Sequence, residues 1–473
     1  MKLSRLTGQS HDPDPEISGL AVDSRAVRDG FLFAALPGAQ VDGADFVDQA
    51  IKNGAAAVLA PPSVRASVPT VHDDQPRRRL AHMAAHFYAG QPRMIAGVTG
   101  TNGKTSTARF AAQLWRRLGE NAGSLGTLGA EAPGYAKTLR HTTPEPIELH
   151  QTLSAMEEAG VTHLAMEVSS HALAQHRADG VRFSVAAFTN LTQDHLDFHD
   201  TYDDYFSAKK RLFTDLLAAD GVAVINADGE GASDVAACAE ARGVRTITSG
   251  AAGVDLRLTT CAPTPDGLRL RIHSGGANFE ADLPLIGAFQ AENALLAAAI
   301  VMASGEPADR VLPALGNLEG APGRMERVAE ARGGAIYVDY AHTPDAVATA
   351  IKAIKPHTDG RLIVIIGAGG DRDKEKRPLM GQAATTADTV IVTDDNPRHE
   401  NPAAIRAAVL RGAPGAVEIG DRAEAIAHGV AMVAAGDVLL IAGKGHETGQ
   451  IIGDKTLAFN DGDVAREAAG RLS

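Results

Sequence analysis

The chain is predicted to be an α/β protein of three domains. These are a small N-terminal α/β domain, a central domain on a mostly parallel sheet with an antiparallel portion, and a C-terminal doubly wound domain. Three observations predict this. Short apolar runs alternate with helix-patterned stretches, the signature of βαβ units and a parallel sheet. At about 100–200 residues per domain, 473 residues make about three. Composition shifts near Gln91 and Arg327 then place the domains at 1–91, 92–325 and 326–473.

The first segment carries DSRAV (Asp23–Val27), FLFAAL, PGAQVDGADF and AAAVLAPP, and reads as a small α/β unit. The second opens on MIAGVTG (94–100), a short apolar strand, followed by a helix from Lys104 that Gly119 stops. Further strands are expected over 163–168, 185–191 and 221–227, with a helix over 202–217. The stretch LRLTTCAPTPDGLRLRIH (256–273) has period-two patterning around Pro-Asp-Gly and predicts an antiparallel hairpin. In the third segment AIYVDY, RLIVIIG, TVIVTDD and DVLLIAG read as strands separated by helices such as PDAVATAIKAI and NPAAIRAAVLRG. That is a Rossmann-like pattern, with ligands expected at the carboxyl ends of the strands.

Composition bounds the function. With 44% hydrophobic and 22% charged residues each domain can bury a core, and 4% aromatics point to aliphatic packing. A net charge of -13 with no compensating basic face argues against nucleic acid as a partner. No apolar signal core opens the chain and no uncharged run is long enough to cross a bilayer, so a cytoplasmic location without membrane contact is expected. Two cysteines, Cys238 and Cys261, are too few for a disulfide framework or a cysteine metal site. Small anionic ligands stay open, because glycine loops, helix N-termini and metal ions can invert the sign of one pocket.

GTNGKTST (Gly100–Thr107) lies between a strand and a helix, as a phosphate loop does, which makes the central domain P-loop-type. Its glycines let backbone N–H groups turn inward on phosphate oxygens, Lys104 can reach the outer phosphates, and Thr105 can ligate Mg²⁺, so Gly100, Thr101, Asn102, Gly103, Lys104, Thr105 and Ser106 are expected to bind ATP. The strict GxxxxGK[ST] pattern fails at its first position, where Val98 stands. MEVSSHAL puts Glu167 at a strand end, the place for a hard oxygen ligand. FTNLTQDHLDFH puts His195, Asp194 and Asp197 after another strand, where a metal site and a structural role are both open. Lys209 and Lys210 read, on residue chemistry alone, as solubilising helix lysines. TDDNPRHENP (393–402) in isolation reads as a solvated loop, but it shares strand-end placement with GAGGDRDK and GKGHE, which makes a ligand site credible.

GTNGKT, MEVSSHAL, TNLTQDHLDFH, GRME (323–326) and DYAHTPD (339–345) together resemble the ATP-dependent Mur ligases, over essentially the whole chain and in order. DSR, TTPE (142–145), GGDRDKEKRP, DDNPR and GKGHE narrow the resemblance to members that add meso-diaminopimelate. The resemblance implies ATP as co-substrate, with Gly103, Lys104 and Thr105 on its phosphates. It implies two Mg²⁺ sites, one served by Thr105 and Glu167 and the second by His195, and a CO₂-derived carbamate on Lys209. Asn293 would lie near adenine, and Arg324, Asp339 and His342 near ribose and phosphates. Ser24, Thr142, Thr143, Ser169 and Arg177 would bind UDP-N-acetylmuramoyl-L-Ala-D-Glu. Arg372, Asp395, Asn396, Arg398, Gly443 and Glu447 would bind meso-diaminopimelate. Lys104, Glu167, His195 and Lys209 would carry catalysis, with the chain a monomer.

The implied chemistry is peptidoglycan precursor synthesis. ATP phosphorylates the D-Glu γ-carboxylate and an incoming amine attacks the acyl phosphate, with His195, Asp339 and His342 as base candidates by motif proximity. Closure of the third domain over the second, about linkers near Gly323, is expected to keep the acyl phosphate dry. The alternatives are a lysine-adding or folylpolyglutamate-type ligase and, from another class, an ATP-binding regulatory protein.

Overall fold

Residues 1–38, 41–192, 198–264 and 267–472 are described by the computed structural model. They divide into two units, Met1–Arg257 with Leu295–Val311, and Leu258–Ala294 with Leu312–Ser473.

In the first unit, strands β1 (Gly19–Ala21), β2 (Phe31–Ala34), β3 (Ala55–Ala60) and β4 (Thr70–His72) form a parallel sheet in chain order. Successive side chains of a strand face opposite ways. Leu32 therefore joins one apolar cluster with Leu59 and Leu80, while Phe33 joins another with Val58.

The same unit carries β5 (Met94–Thr99), β6 (Ala122–Gly126), β7 (Gly129–Ala132), β8 (Tyr135–Lys137), β9 (His163–Glu167), β10 (Phe183–Phe188), β11 (Leu217–Asn226) and β12 (Arg245–Gly250). Their order is β12-β11-β10-β5-β9-β6-β7-β8. Pairing is parallel from β12 to β6 and antiparallel through β7 and β8. The strands β5, β9 and β10 are almost wholly buried, which explains why they read as continuous apolar runs rather than alternating ones. The β6–β8 meander had no counterpart in the sequence reading; its Gly, Ala and Glu residues lack the apolar run by which the other strands were found. The helix expected over 202–217 ends sooner, at Arg211. A five-residue π-turn, Leu212–Leu216, follows, and β11 begins at once. That wider turn delivers Leu212 and Phe213 to the core.

The chain passes to the second unit within β13 (Leu256–Thr264), and the helix Ala288–Ala303 also spans the division. The strand β14 (Gly267–Ser274) lies beside β13 and pairs antiparallel with β15 (Ala277–Leu283). Pro265 and Asp266 of the expected turn lie outside the described residues. A six-stranded sheet follows, from β16 (Glu326–Ala331), β17 (Gly334–Asp339), β18 (Leu362–Ile366), β19 (Thr389–Val392), β20 (Val417–Glu418) and β21 (Val438–Ala442). Its order is β16-β17-β21-β18-β19-β20, antiparallel only between β16 and β17. Apolar clusters cover both faces, with Val364 and Ile366 on one and Ile363 and Ile365 on the other. This is the doubly wound sheet expected, and it gathers the loops after β17, β18, β19 and β21 at one edge. A hairpin, β22 (Gly449–Ile452) and β23 (Lys455–Ala458), completes the unit. Among the described residues no helix is long and apolar enough to cross a membrane.

Candidate active site

The loop after β5, expected to hold phosphate, is shaped by its glycines. Gly100 has φ 142°, and a Cβ there would stand 1.9 Å from Thr189 Oγ1, so only glycine fits. The amides of Thr101 and Asn102 are already engaged, donating to Asn190 O (2.9 Å) and Asn190 Oδ1 (3.0 Å). The donors left for an anion are those opening the helix Lys104–Arg117, where Gly103 supplies no side-chain cap. Lys104 Nζ rests on the carbonyls of Gly100 (2.9 Å) and Thr101 (2.7 Å). Ser106, two residues further on, is buried. Lys209, on the helix Tyr202–Arg211, also donates to Gly100 O, at 2.8 Å, and its ammonium lies 4.2 Å from the Tyr205 ring centre. It is 2% exposed, so it is no solubilising lysine.

Thr105 Oγ1 donates to Glu167 Oε1 at 3.0 Å, and the same carboxylate accepts from Thr127 N (2.8 Å) and Thr127 Oγ1 (3.3 Å). A buried hydroxyl and carboxylate at the head of a phosphate loop fit a hard divalent cation. Among the described residues no group of three or more His, Cys, Asp or Glu gathers. His195, with Asp194 and Asp197, lies outside the described residues.

Glu167 also anchors the candidate sugar-peptide residues. Thr143 Oγ1 donates to Glu167 O at 2.9 Å and accepts from Ser169 N at 3.1 Å, and Thr142 Oγ1 meets Thr127 Oγ1 at 3.0 Å. Ser169 caps the helix Ser170–Ala174. Arg177 donates to Thr143 O at 3.1 Å and pairs with Glu145 at 2.9 Å. Burial lowers the Arg177 pKa, against the opposing pull of Glu145. Thr142, Thr143, Ser169, Arg177 and Glu167 thus form one connected cluster. Ser24 does not join it; it follows β1 in the small sheet, where its carbonyl accepts from Asn53 Nδ2 at 2.8 Å.

In the second unit, Asn293 Nδ2 reaches Gln290 Oε1 at 3.4 Å, and Gln290 Nε2 reaches Arg324 O at 3.3 Å. The Arg324 guanidinium lies 4.4 Å from the Tyr340 ring centre. Asp339, at the end of β17, accepts from Met325 N (2.7 Å) and Ala341 N (2.8 Å), one on each oxygen. Burial raises its pKa, against the opposing effects of Arg324 and the two amides. Such a carboxylate braces the GRME turn, whose Met325 has φ 50°. His342 Nδ1 is 2.8 Å from Tyr340 O.

The loops after β18, β19 and β21 meet as the sheet order requires. Gly370 passes so close that a Cβ there would lie 1.9 Å from Pro397 O. Arg398, at φ 50°, donates Nη1 to Gly370 O at 2.7 Å, and its own amide donates to Ile451 O at 3.0 Å. Asn396 Nδ2 donates to Glu447 Oε2 at 2.9 Å. Asp395 Oδ1 accepts from Asn396 N at 2.7 Å, and Asp395 Oδ2 would lie 2.7 Å from a Cβ on Gly443. Arg372 is exposed on the loop after β18. Asp395, Asn396, Arg398, Gly443 and Glu447 are thus brought together.

Four residues escaped the sequence reading. Lys444 is fully buried and donates to Asn396 Oδ1 and Glu447 Oε2. Arg422, fully buried, makes a two-pronged pair with Asp461 and donates to Ala442 O. Glu400, read from sequence as ordinary loop, instead grips Arg377 at 2.8 Å and accepts from Asp371 N at 2.6 Å, and the Arg377 hydrogen bond holds its pKa down to about 2. The lysine of GKGHE could have been noticed beside Gly443 and Glu447; Arg422 and Arg377 carry no local signal.

Three family models match in chain order: "Mur ligase family, catalytic domain" over 16–88, "Mur ligase middle domain" over 98–301, and "Mur ligase, glutamate ligase domain" over 323–445. The UDP-N-acetylmuramoyl-L-alanyl-D-glutamate--2,6-diaminopimelate ligase of Caulobacter vibrioides is 49% identical over 470 residues, covering 97% of each chain. The protein of the same name from Bradyrhizobium diazoefficiens is 48% identical over 487 residues, covering 100% of each. A solved structure of a ligase of that name superposes with a TM-score of 0.74 at 32% identity, over 100% of this chain and 99% of the other. Folylpolyglutamate synthase of Mycobacterium tuberculosis, complexed with ADP, shares the fold at a TM-score of 0.63 and 21% identity, over 77% of this chain and 90% of its own.

Proposed function

The chain belongs to the Mur ligase family, and from that premise we propose that it uses ATP to join meso-2,6-diaminopimelate to the D-Glu γ-carboxylate of UDP-N-acetylmuramoyl-L-Ala-D-Glu. The observation that carries the choice of amino acid is the loop cluster of the six-stranded sheet. It holds a cation, Arg398, two residues from Asn396, whose amide is bonded to the carboxylate Glu447. The distal end of meso-diaminopimelate carries a carboxylate and an ammonium. Arg398 suits the first as a two-pronged donor and Glu447 the second, while lysine would leave Arg398 unmatched. The 1–91, 92–325 and 326–473 division, a monomer and a cytoplasmic location belong to the same reading.

Making an amide in water requires an activated acyl group. Phosphorylation brings two anions together, and Lys104, with the amides opening its helix, offsets their repulsion. Mg²⁺ held through Thr105 and Glu167 would neutralise phosphate charge, with a second ion at His195 and a carbamate on Lys209 completing the set. Thr143, Ser169 and Arg177 would hold the acceptor peptide close to Glu167, turning the reaction into one between positioned groups. Asp339, with both oxygens engaged by backbone amides, suits a brace better than a base.

Phosphate release with UDP-N-acetylmuramoyl-L-Ala-D-Glu and ATP should depend on the amino acid, with meso-diaminopimelate far ahead of lysine. Faster release with lysine would replace the proposal with the lysine-adding reading; release indifferent to amino acid would favour an ATP-binding regulator.

A further inference from the structure

We infer that Lys444 is a positioning residue for the amino-acid site, setting the orientation of both Asn396 and Glu447. The inference rests on the reading that this loop cluster binds an amino acid. Lys444 follows β21 and has no exposed surface. Its Nζ donates to Asn396 Oδ1 at 3.0 Å and to Glu447 Oε2 at 2.9 Å. A buried ammonium is costly unless paired, and the carboxylate of Glu447 is its ion-pair partner.

Two consequences follow. Asn396 Oδ1 receives a second donor, Ile451 N, at 2.9 Å, while Asn396 Nδ2 donates to Glu447 Oε2 at 2.9 Å. Flipping the amide would press its NH₂ against an ammonium and an N–H, so Lys444 dictates which end of Asn396 is the donor. Glu447 Oε2 is occupied by both Lys444 Nζ and Asn396 Nδ2. That leaves Oε1 for a ligand, on a side chain 31% exposed while Lys444 is closed off. Lys444 thus supplies the inner charge that engages one oxygen of Glu447 and leaves the other for an incoming ammonium. It also balances that carboxylate, so the pocket is not left with uncompensated negative charge that would repel the ligand carboxylate.

A lysine that merely packed could be exchanged for an apolar residue of similar shape with little change in substrate use. A positioning lysine could not. In the full-length protein, Lys444→Met is expected to raise the KM for meso-diaminopimelate about tenfold or more, as loss of a charge-assisted contact does, with the KM for ATP within about twofold. In a Glu447→Gln background the same change should have a much smaller effect, because the group being positioned has lost its charge. An unchanged amino-acid KM in folded Lys444→Met, or fully additive effects in the double variant, would overturn the inference. Lys444→Gln, which keeps a donor without the charge, serves the same comparison if Lys444→Met melts below the assay temperature. Should the wild type prefer another amino acid, the substrate reading fails, yet the comparison run with that amino acid still decides the role of Lys444.

Discussion

Arg398 is held in the left-handed backbone region at φ 50°, between the β22 strand that its amide meets and the Gly370 carbonyl that its guanidinium meets. Non-glycine residues in that region cost on the order of 1 kcal/mol, retained where surrounding contacts over-determine the conformation. Those two hydrogen bonds hold the backbone in that region and keep the guanidinium against Gly370. Arg398→Ala should therefore cost a few kcal/mol in meso-diaminopimelate binding, by losing a charge-assisted pair, and leave ATP binding nearly unchanged. Isothermal titration with each ligand separates the two, and equal losses would remove Arg398 from the amino-acid site. Gly100 makes the complementary case. Gly100→Ala meets Thr189 Oγ1 at 1.9 Å in a backbone region that alanine avoids, so the loop must distort. Nucleotide affinity should fall by tenfold or more, about 1.4 kcal/mol, as read by nucleotide-dependent thermal shift.

Element starts were legible because they are local. Asn401-Pro402 reads as a helix start, and Asn401 does accept from Ala403 N at 2.9 Å with Pro402 opening the helix Pro402–Leu410. Thr343 and Asp421, which carry the same local signal but were not named from it, also cap the helices Pro344–Ile354 and Arg422–Met432. How those helices are locked together was not legible. Arg422 opens one helix and Asp461 opens another, Asp461–Gly470, and the two bury a complete ion pair 39 residues apart. Burial opposes the Arg422 charge, but Asp461 more than restores it and its pKa is raised. Asp461→Ala should destabilise the protein by about 3–5 kcal/mol, because it strands a buried guanidinium, whereas an apolar replacement of both partners should cost far less. Urea unfolding of the single and double variants measures the difference.

Acid response is a property of the whole molecule. Burial holds His150 and His446 down to about 4, and both ring nitrogens of His150 have no hydrogen-bond partner. Below the ordinary value near 6.5 the unfolded chain takes up protons that these folded imidazoles refuse, so stability falls as pH drops from 6.5 toward 4. Glu400 works over a lower window: its pKa is depressed from 4.5 to about 2, so its contribution is present above 4.5 and lost as pH falls toward 2. His150→Leu should flatten the stability profile between pH 6.5 and 4 in urea titrations, and an unchanged slope would exclude His150 as a source. What the sequence alone determined was local: the strand–glycine loop–helix around Lys104, the apolar runs of the two large sheets with helical stretches between them, and the Asn401-Pro402 helix start. Each depends on neighbours within a few positions. Tertiary structure decided which distant charges meet. Lys444 reaches Asn396 across 48 residues and Arg377 reaches Glu400 across 23, because the order β17-β21-β18-β19 brings those strand ends side by side. No local pattern encodes that adjacency; it follows from sheet order, and sheet order from the packing of both faces at once.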